Sequence, residues 1–357
     1  MKKRSGDAET ALSTEATTTI TTETITMSST IWLNPILLVD VNEDAKLDII
    51  VGNDDEKTIM IFLNLGNGTF IQSKMVSHVI EPSRITIGDI NNDGKVDIIA
   101  PSSISMDIIV FYNVGNGNFN NSMIIPTEAI VSIVKAVDMN KDNKVDLVAL
   151  DSSTDHIITL LNDGNGVFSK QIRYENITFR SNFQVIDMNN DALPDIVVIR
   201  TGYGSSMFVL LNTNNGNFIE QERPPYSLTP SFIEAIDING DNEMDLVMGF
   251  SNYFHIYFAF RNGTFADPID YHSDYQLSSL ETANFDNENK MYIILTHLRN
   301  NRISIFSNTG NGTFGEPKII NNIDQSNYAS LIDINGEGNA ELVVANDQTI
   351  KILHLRC

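Results

Sequence analysis

The chain has 357 residues, 42% of them hydrophobic, and a formal net charge of -23 at pH 7. It is long enough to bury a large core, and a repeat array of this length can close into one domain. Its acidity argues against a nucleic-acid partner, because such binding depends on Lys and Arg that neutralise phosphates. Its single cysteine, Cys357, excludes an intrachain disulfide.

The first 30 residues are rich in Thr and Ser and begin with the basic residues Lys2, Lys3 and Arg4. No apolar stretch of about 7–15 residues follows them, so they do not form a recognisable signal peptide. Their composition is typical of an O-glycosylated stalk or a disordered lead-in, and we predict a disordered lead-in over residues 1–20. No segment approaches the roughly 18 apolar residues of a membrane helix, so we expect no direct membrane insertion.

A nine-residue acidic loop, D-x-N-x-D-x-x-x-D, recurs at intervals of 47 to 50 residues. A period near 50 indicates stacked copies of one supersecondary unit. The intact copies start at Asp40, Asp89, Asp138, Asp187 and Asp237, and two altered copies start at Asn284 and Asp333.

Each copy predicts four strands in a fixed order. A short apolar strand runs into the first Asp, and the ninth loop residue opens a second strand, such as DIIAP from Asp97. A third strand, such as IITLLN from Ile157, ends at a turn of the form N-x-G-N-G-x-F, which is a strong hairpin signal. A more polar fourth strand starts at the aromatic residue. Apolar runs of four to seven residues rich in Ile, Val and Leu favour strands over helices.

Seven copies of four strands predict an all-β fold, a seven-bladed β-propeller of four-stranded blades that spans residues 21–357 as one domain. A linear β-solenoid is the alternative, although its coils are normally shorter. The seventh copy stops after its third strand, IKILHL from Ile350, and the Thr-rich segment 21–28 lies where a fourth strand would precede the first copy. We therefore predict that an N-terminal strand completes the last blade and closes the ring.

The loop chemistry predicts about five Ca²⁺ sites. Positions one, three and five offer Asp, Asn and Asp oxygens, position seven a backbone carbonyl, and position nine an Asp that can bind with both oxygens. About six oxygen ligands suit Ca²⁺; Mg²⁺ is the weaker candidate, and the lack of His and Cys argues against Zn²⁺. The predicted ligands are Asp40, Asn42, Asp44 and Asp48 in loop 1; Asp89, Asn91, Asp93 and Asp97 in loop 2; Asp138, Asn140, Asp142 and Asp146 in loop 3; Asp187, Asn189, Asp191 and Asp195 in loop 4; and Asp237, Asn239, Asp241 and Asp245 in loop 5.

The sixth loop position requires a sharp turn. Gly94, Asn143 and Asn242 tolerate positive φ there, whereas Ala45 and Ala192 are less suited to it. The altered copies replace ligands by Asn284 and Tyr292 in copy six and by Glu337 and Glu341 in copy seven, so we predict that both fold without metal. Turn formation alone, by Asp and Asn that bond to their own backbone, is the alternative explanation of the loops.

The acidic loop, its apolar strands and the N-x-G-N-G-x-F turn together resemble the FG-GAP/VCBS repeat family over about residues 21–357. The resemblance implies a seven-bladed propeller with calcium on the five intact loops. The family includes integrin α-subunit propellers, fungal lectins, and bacterial surface and polysaccharide-active proteins, so it is specific for fold and calcium and poor for function. No leg domain or membrane span accompanies the repeats, so we do not expect an integrin α-subunit.

Other features allow few chemical predictions. The six histidines are scattered over the repeats, and no catalytic constellation is recognisable. The exposed aromatics that could stack on a sugar or peptide are Trp32, Tyr203, Tyr226, Tyr253 and Phe254, although inter-blade packing is the simpler role for most of them. Glycosylation sequons occur at Asn67, Asn120, Asn176, Asn262 and Asn311.

We therefore expect a non-enzymatic, calcium-binding recognition module that is monomeric and acts outside the cell or at its surface. Its partner would be a protein or a glycan. A lectin is the narrower alternative, and an accessory propeller of a polysaccharide-active enzyme is a third.

Overall fold

The described residues of the computed structural model are 20–26, 36–53, 56–66, 69–73, 76–77, 84–102, 105–154, 156–174, 182–200, 206–214, 217–225, 230–284, 291–323, 326–334, 340–346 and 349–355. The lead-in predicted over residues 1–20 lies outside them except for Ile20. In these ranges no helix has the length and apolar character needed to cross a membrane.

Seven antiparallel sheets form the blades, and each uses its strands in the order first, second, third and fourth. The first strands are Leu37–Val39, Thr86–Gly88, Val131–Val137, Asn182–Ile186, Phe232–Ile236, Ser279–Asn284 and Tyr328–Ile332. The second strands are Asp48–Asn53, Asp97–Ser102, Asp146–Asp151, Asp195–Arg200, Asp245–Gly249, Met291–His297 and Glu341–Ala345.

The third strands, in blade order, are Thr58–Asn64, Asp107–Tyr112, His156–Asn162, Ser206–Asn212, Tyr253–Tyr257, Arg302–Gly310 and Thr349–Leu355. The fourth strands are Phe70–Gln72 with Val76–Ser77, Asn121–Pro126, Phe168–Tyr174, Phe218–Pro225, Ile269–His272, Lys318–Asn321 and, for blade 7, Ile20–Thr26.

The N-terminal strand Ile20–Thr26 closes the ring. It pairs antiparallel with Thr349–Leu355, from Ile20 opposite Leu355 to Thr26 opposite Thr349. The last blade therefore takes three strands from one end of the chain and one from the other, as the truncated seventh repeat predicts. This confirms the seven-bladed propeller with four-stranded blades.

Apolar clusters between neighbouring blades form the core, and there is one for each of the seven interfaces. The cluster at the closure joins Ile49 of blade 1 to Val343 of blade 7. Second strands such as Asp48–Asn53 and Asp146–Asp151 are buried along their whole length. A blade is covered on both faces by its neighbours, which explains why these strands are almost continuously apolar rather than alternating.

The blades differ most after the third strand. In blades 1, 3 and 4 the fourth strand starts at or next to the predicted aromatic residue, but in blade 2 it starts at Asn121. Blades 5 and 6 first form small hairpins, Ala259–Phe260 with Thr264–Phe265 and Asn308–Gly310 with Thr313–Phe314. A 3-10 turn at Leu298–Asn300 follows the second strand of blade 6.

Of the predicted aromatics, Phe254 is fully buried and packs edge-on against Phe306 of blade 6, with their ring centroids 5.2 Å apart. Phe254 therefore packs between blades. Tyr253 is half-buried and stacks on Phe250 at 4.6 Å. Trp32, Tyr203 and Tyr226 lie outside the described residues.

Candidate functional site

The five intact acidic loops connect first to second strands and are described in full. Because neighbouring strands run antiparallel, these loops and the turns between third and fourth strands lie on one side of the ring, which we call the acidic-loop face. Position six has positive φ in every loop, at Ala45, Gly94, Asn143, Ala192 and Asn242. The two alanines therefore adopt the conformation that the sequence made doubtful.

Position four also has positive φ in every loop, which the sequence did not indicate. The residues there are Glu43, Asn92, Lys141, Asn190 and Gly240. Two left-handed residues separated by one position wind the loop tightly enough to turn backbone N–H groups inward. Glu and Lys, unlike Gly and Asn, do not indicate positive φ in a sequence, so only the backbone geometry reveals this feature.

The first carboxylate of each loop accepts at least two backbone hydrogen bonds. In loop 1, Asp40 Oδ1 accepts the N–H of Asp44 and Asp40 Oδ2 accepts the N–H of Ala45, at 3.2 and 2.7 Å. The equivalent bonds in the five loops measure 3.0–3.2 Å and 2.6–2.9 Å. The first Asp therefore sets the loop conformation through its own backbone, as expected for an Asx-type turn.

Positions three and five extend this pattern. The Oδ1 of the third residue accepts the N–H of the fifth at 2.9–3.1 Å. The Oδ1 of the fifth residue accepts the N–H of the seventh at 2.8–3.1 Å. The side-chain oxygens of positions one, three and five are thus held toward the inside of one turn, where each keeps lone pairs that a cation could use.

The other oxygen of the fifth residue, Oδ2, contacts side chains. In loops 1 to 3, Lys46, Lys95 and Lys144 at position seven approach it at 3.0, 3.6 and 3.2 Å. These contacts are partly exposed and are worth little by themselves. In loops 2, 4 and 5, the amide of the third-position Asn donates to the same carboxylate.

The ninth-position aspartates are fully buried. Each accepts the N–H of loop position two on Oδ2, at 2.9–3.1 Å, and an N–H at the C-terminal end of the third strand on Oδ1, at 2.7–2.9 Å. Burial, together with the carboxylates at positions one and five, raises the pKa to about 6 at Asp97, Asp146 and Asp195 and to about 7 at Asp245, and raises the pKa of Asp48.

The donor set of each loop fits a hard divalent cation. Each loop carries three carboxylates and one amide oxygen, and both oxygens of the buried ninth carboxylate accept neutral backbone N–H groups. A buried anion beside two other anions is unfavourable unless a cation compensates it. Within the described ranges, no group of three or more Asp, Glu, His or Cys side chains is placed so that it could hold a metal ion by itself. Each loop would therefore complete its shell with Asn and backbone oxygens, as calcium allows.

In the altered copies, other side chains occupy position nine. In copy seven, buried Glu341 accepts the N–H of Ile334 at 3.0 Å and contacts His354 Nδ1 at 3.3 Å. The longer side chain thus reproduces the position-nine bond to position two. In copy six, Tyr292 takes this place and is half-buried. Glu337 lies outside the described residues.

A cleft of about 680 Å³ opens between blades 5 and 6 on the acidic-loop face. It lies between loop 5 and the Asn-Gly turn of blade 6. Its lining includes the polar residues Asn239, Asn308, Thr309 and Asn311 and the apolar residues Met244 and Met291. The Asn308 amide already donates to Ile238 and the Thr309 hydroxyl to Thr313, so these side chains offer the remaining lone pairs of their oxygens to a neutral polar ligand.

Comparison with known proteins agrees with this architecture. Residues 40–100, 138–198 and 187–248 match the FG-GAP-like repeat. No curated protein matches the chain by sequence. The fold is similar to that of an Agrocybe aegerita lectin that recognises non-reducing terminal N-acetylglucosamine, with a TM-score of 0.66, 17% identity, and 92% of this chain and 86% of that chain covered. It is also similar to BBS1N, solved in complex with ARL6DN, with a TM-score of 0.67, 13% identity, and 92% and 94% covered. The matching repeats and the closed ring of seven four-stranded blades show that this chain is a β-propeller with FG-GAP-like repeats.

Proposed function

We propose that this protein is a non-enzymatic recognition module whose five intact loops bind Ca²⁺. The observation that carries the proposal is the buried ninth-position aspartate, whose pKa is raised by burial and by two further carboxylates of its own loop. A divalent ion at each loop would neutralise this charge and fix the hairpin between the first two strands. Its role is structural, with affinities near the ~10⁻⁴–10⁻³ M of extracellular modules or somewhat tighter.

Calcium titration by calorimetry tests whether the five loops bind Ca²⁺ through the predicted ligands. The native chain is expected to bind about five ions, and Asp146→Asn and Asp245→Asn are each expected to bind one fewer. Asp163→Asn is the matched control, because Asp163 is an exposed carboxylate in the turn beside loop 3. If Asp146→Asn kept the native stoichiometry while Asp163→Asn lost an ion, the ligand assignment would be wrong.

The cleft between blades 5 and 6 is the proposed ligand site. Its amides and its Thr hydroxyl suit the hydroxyl and amide groups of a glycan, which favours a lectin as the second candidate function; a peptide segment of a protein partner is the first. Thr309→Arg would fill the cleft, whereas Thr213→Arg places the same side chain at the equivalent turn of blade 4.

A glycan array read in calcium and again with chelator separates these two functions. A lectin is expected to lose its glycan signal in Thr309→Arg and to retain it in Thr213→Arg. A protein adhesin is expected to give no array signal. Turnover of pectin-type polymers would contradict the non-enzymatic proposal and favour an accessory role in polysaccharide cleavage.

The site of action is proposed to be extracellular or at the cell surface. Three sequon asparagines, Asn120, Asn262 and Asn311, are exposed, and Thr264 Oγ1 donates to Asn262 Oδ1 at 2.6 Å. Asn67 and Asn176 lie outside the described residues. Secretion from eukaryotic cells followed by glycosidase digestion is expected to show a mass loss that Asn262→Gln reduces.

A further inference from the structure

The first asparagine of the Asn-Gly turn joins two neighbouring blades. In blade 2, the backbone N–H of Asn113 donates to Asp97 Oδ1 at 2.9 Å, within its own blade. Its side-chain Nδ2 donates to the carbonyl of Val41, in loop 1 of the preceding blade, also at 2.9 Å. Gly117 of the same turn donates to this carbonyl at 3.2 Å. Asn113 and Val41 are both buried.

The same bridge recurs around the ring. Each of these turn amides reaches the carbonyl of loop position two in the preceding blade, which in the intact loops lies between the predicted ligands at positions one and three. The bridges run from Asn64 to Ile334, Asn162 to Ile90, Asn212 to Met139 and Asn308 to Ile238, at 2.8, 2.8, 2.8 and 2.7 Å.

Consecutive bridges join into a chain of hydrogen bonds. The N–H of Ile90 donates to Asp97 Oδ2 at 3.0 Å, and the carbonyl of Ile90 accepts the amide of Asn162. Asp97 is in turn held by the N–H of Asn113, whose amide reaches loop 1. Every step passes through a predicted ligand or a residue next to one. Loops 1, 2, 3 and 4 are therefore connected by buried bonds.

The chain is interrupted between loops 4 and 5. The shortened turn of blade 5 places Ala259 at the asparagine position, where its N–H still donates to Asp245 Oδ1 at 2.8 Å. Alanine has no amide to reach the preceding blade. The described hydrogen bonds between these loops come from the exposed Asn190 amide, which lies 3.2 Å from the carbonyl of Asn242 and 3.2 Å from Glu243 Oε1. An exposed bond that water can replace transmits little.

We propose that the turn asparagines Asn113, Asn162 and Asn212 are positioning residues that couple the metal loops 1 to 4, so that filling one loop raises the affinity of the next, while loop 5 fills independently of them. This inference rests on the proposed calcium binding. The coupling is physical: a metal that fixes positions one, three and nine of one loop also fixes the peptide that anchors the neighbouring turn.

Calcium calorimetry on Asn113→Ala tests the bridge. This substitution keeps the backbone N–H on Asp97 and removes the amide that reaches Val41. The expected result is unchanged stoichiometry with about a fivefold or greater loss of affinity at two sites, within the usual range of coupling. Asn118→Ala is the control, because the Asn118 amide bonds only to Gly115 and Asn116 of its own turn.

A double-mutant cycle isolates the coupling. Loop 1 has loop 2 as its only intact neighbour. Asp48→Asn, which removes the loop-1 site, is therefore expected to weaken the loop-2 site in the native background and to leave it unchanged in Asn113→Ala. If Asn113→Ala does not fold, Asn162→Ala tests the same coupling between loops 2 and 3.

The outcomes separate the two proposals. No calcium uptake by the native chain would overturn the proposed function and the coupling together. Native uptake of about five ions, with identical affinities in Asn113→Ala and Asn118→Ala, would overturn the coupling alone. If Asn113→Ala lowered the melting temperature equally in chelator and in calcium, without changing the calcium affinity, the bridge would only support the fold and the coupling would be overturned.

Discussion

Gly166, in the turn of blade 3, lies against the hydroxyl of Tyr112 in blade 2, and a Cβ on Gly166 would overlap that oxygen. Gly166 also has a φ of +76°. Gly117 and Gly312 sit at the same turn position and would meet Leu63 and Phe258 of their preceding blades. The second glycine of the turn is therefore a packing contact between blades as well as a turn residue.

Gly166→Ala is expected to lower the free energy of unfolding by about 2–4 kcal/mol, because it adds an inter-blade clash to the strain of positive φ. Gly94→Ala is the matched comparison. Gly94 also has positive φ, but nothing lies within 4 Å of its would-be Cβ, and alanine already occupies this loop position at Ala45 and Ala192. We expect about 1 kcal/mol there. Equal losses, measured by urea denaturation, would show that strain alone sets the cost.

Four titratable residues on the first strands of blades 3, 5, 6 and 7 influence one another: Lys135, Glu234, Glu281 and Tyr328. Burial raises the pKa of Glu234 from 4.5 to about 7, while Lys135 lowers it. The pKa of Glu281 is also raised, by burial and by Glu234, against the Tyr328 hydrogen bond and Lys135. The pKa of Tyr328 is raised by burial and by Glu281.

A raised carboxyl pKa means that the native state holds its proton more tightly than the unfolded chain. The stabilisation is therefore complete below about pH 4.5 and is lost as the pH rises through about 7. We expect Glu234→Gln to flatten the fall in unfolding free energy between pH 5 and pH 8 by an amount on the order of 1–3 kcal/mol. Glu316→Gln, at an exposed position, should leave the native pH profile unchanged; an unchanged profile in Glu234→Gln would refute the prediction.

Calcium removal is expected to destabilise the native chain. A ligand that binds only the folded state contributes about 2.7 kcal/mol per site at a concentration 100 times its Kd. The melting temperature should therefore rise steadily with added calcium and fall in chelator, by scanning calorimetry. Asp195→Asn removes one buried carboxylate and should reduce this calcium-dependent rise. A melting temperature that did not change with calcium would contradict a structural role for the metal.

Ring closure can be tested by truncation. Deleting residues 1–30 removes the strand Ile20–Thr26, which pairs with Thr349–Leu355 over seven positions. At about 1 kcal/mol per net ladder hydrogen bond, we expect a loss of roughly 3–6 kcal/mol. Deleting residues 1–18 leaves the strand in place and should have little effect. Similar melting temperatures for the two truncations would mean that the closure does not contribute to stability.

Several features of the fold and the site could be predicted from local residue patterns. The loop spacing of 47 to 50 residues predicted seven blades, and apolar runs bounded by Asn-Gly turns predicted four strands in each. The missing end of the seventh repeat predicted closure by an N-terminal strand within residues 21–28, and the observed strand is Ile20–Thr26. These features are local or periodic, so the residues that encode them stand beside each other in the chain. The ninth-position Asp could be named for the same reason.

Contacts between blades could not be predicted, because their partners are far apart in the chain. The amide of Asn113 reaches Val41 across 72 positions, and within the turn Asn113 looks like any other hairpin asparagine. The burial of the ninth aspartates, the left-handed fourth position and the cleft beside blade 6 also required the packed ring. The sequence by itself determined the repeat, the strands and the oxygen-rich loops, because these depend on neighbouring residues. Only the tertiary structure decided which loops touch, because ring closure sets the distance between one turn and the blade before it.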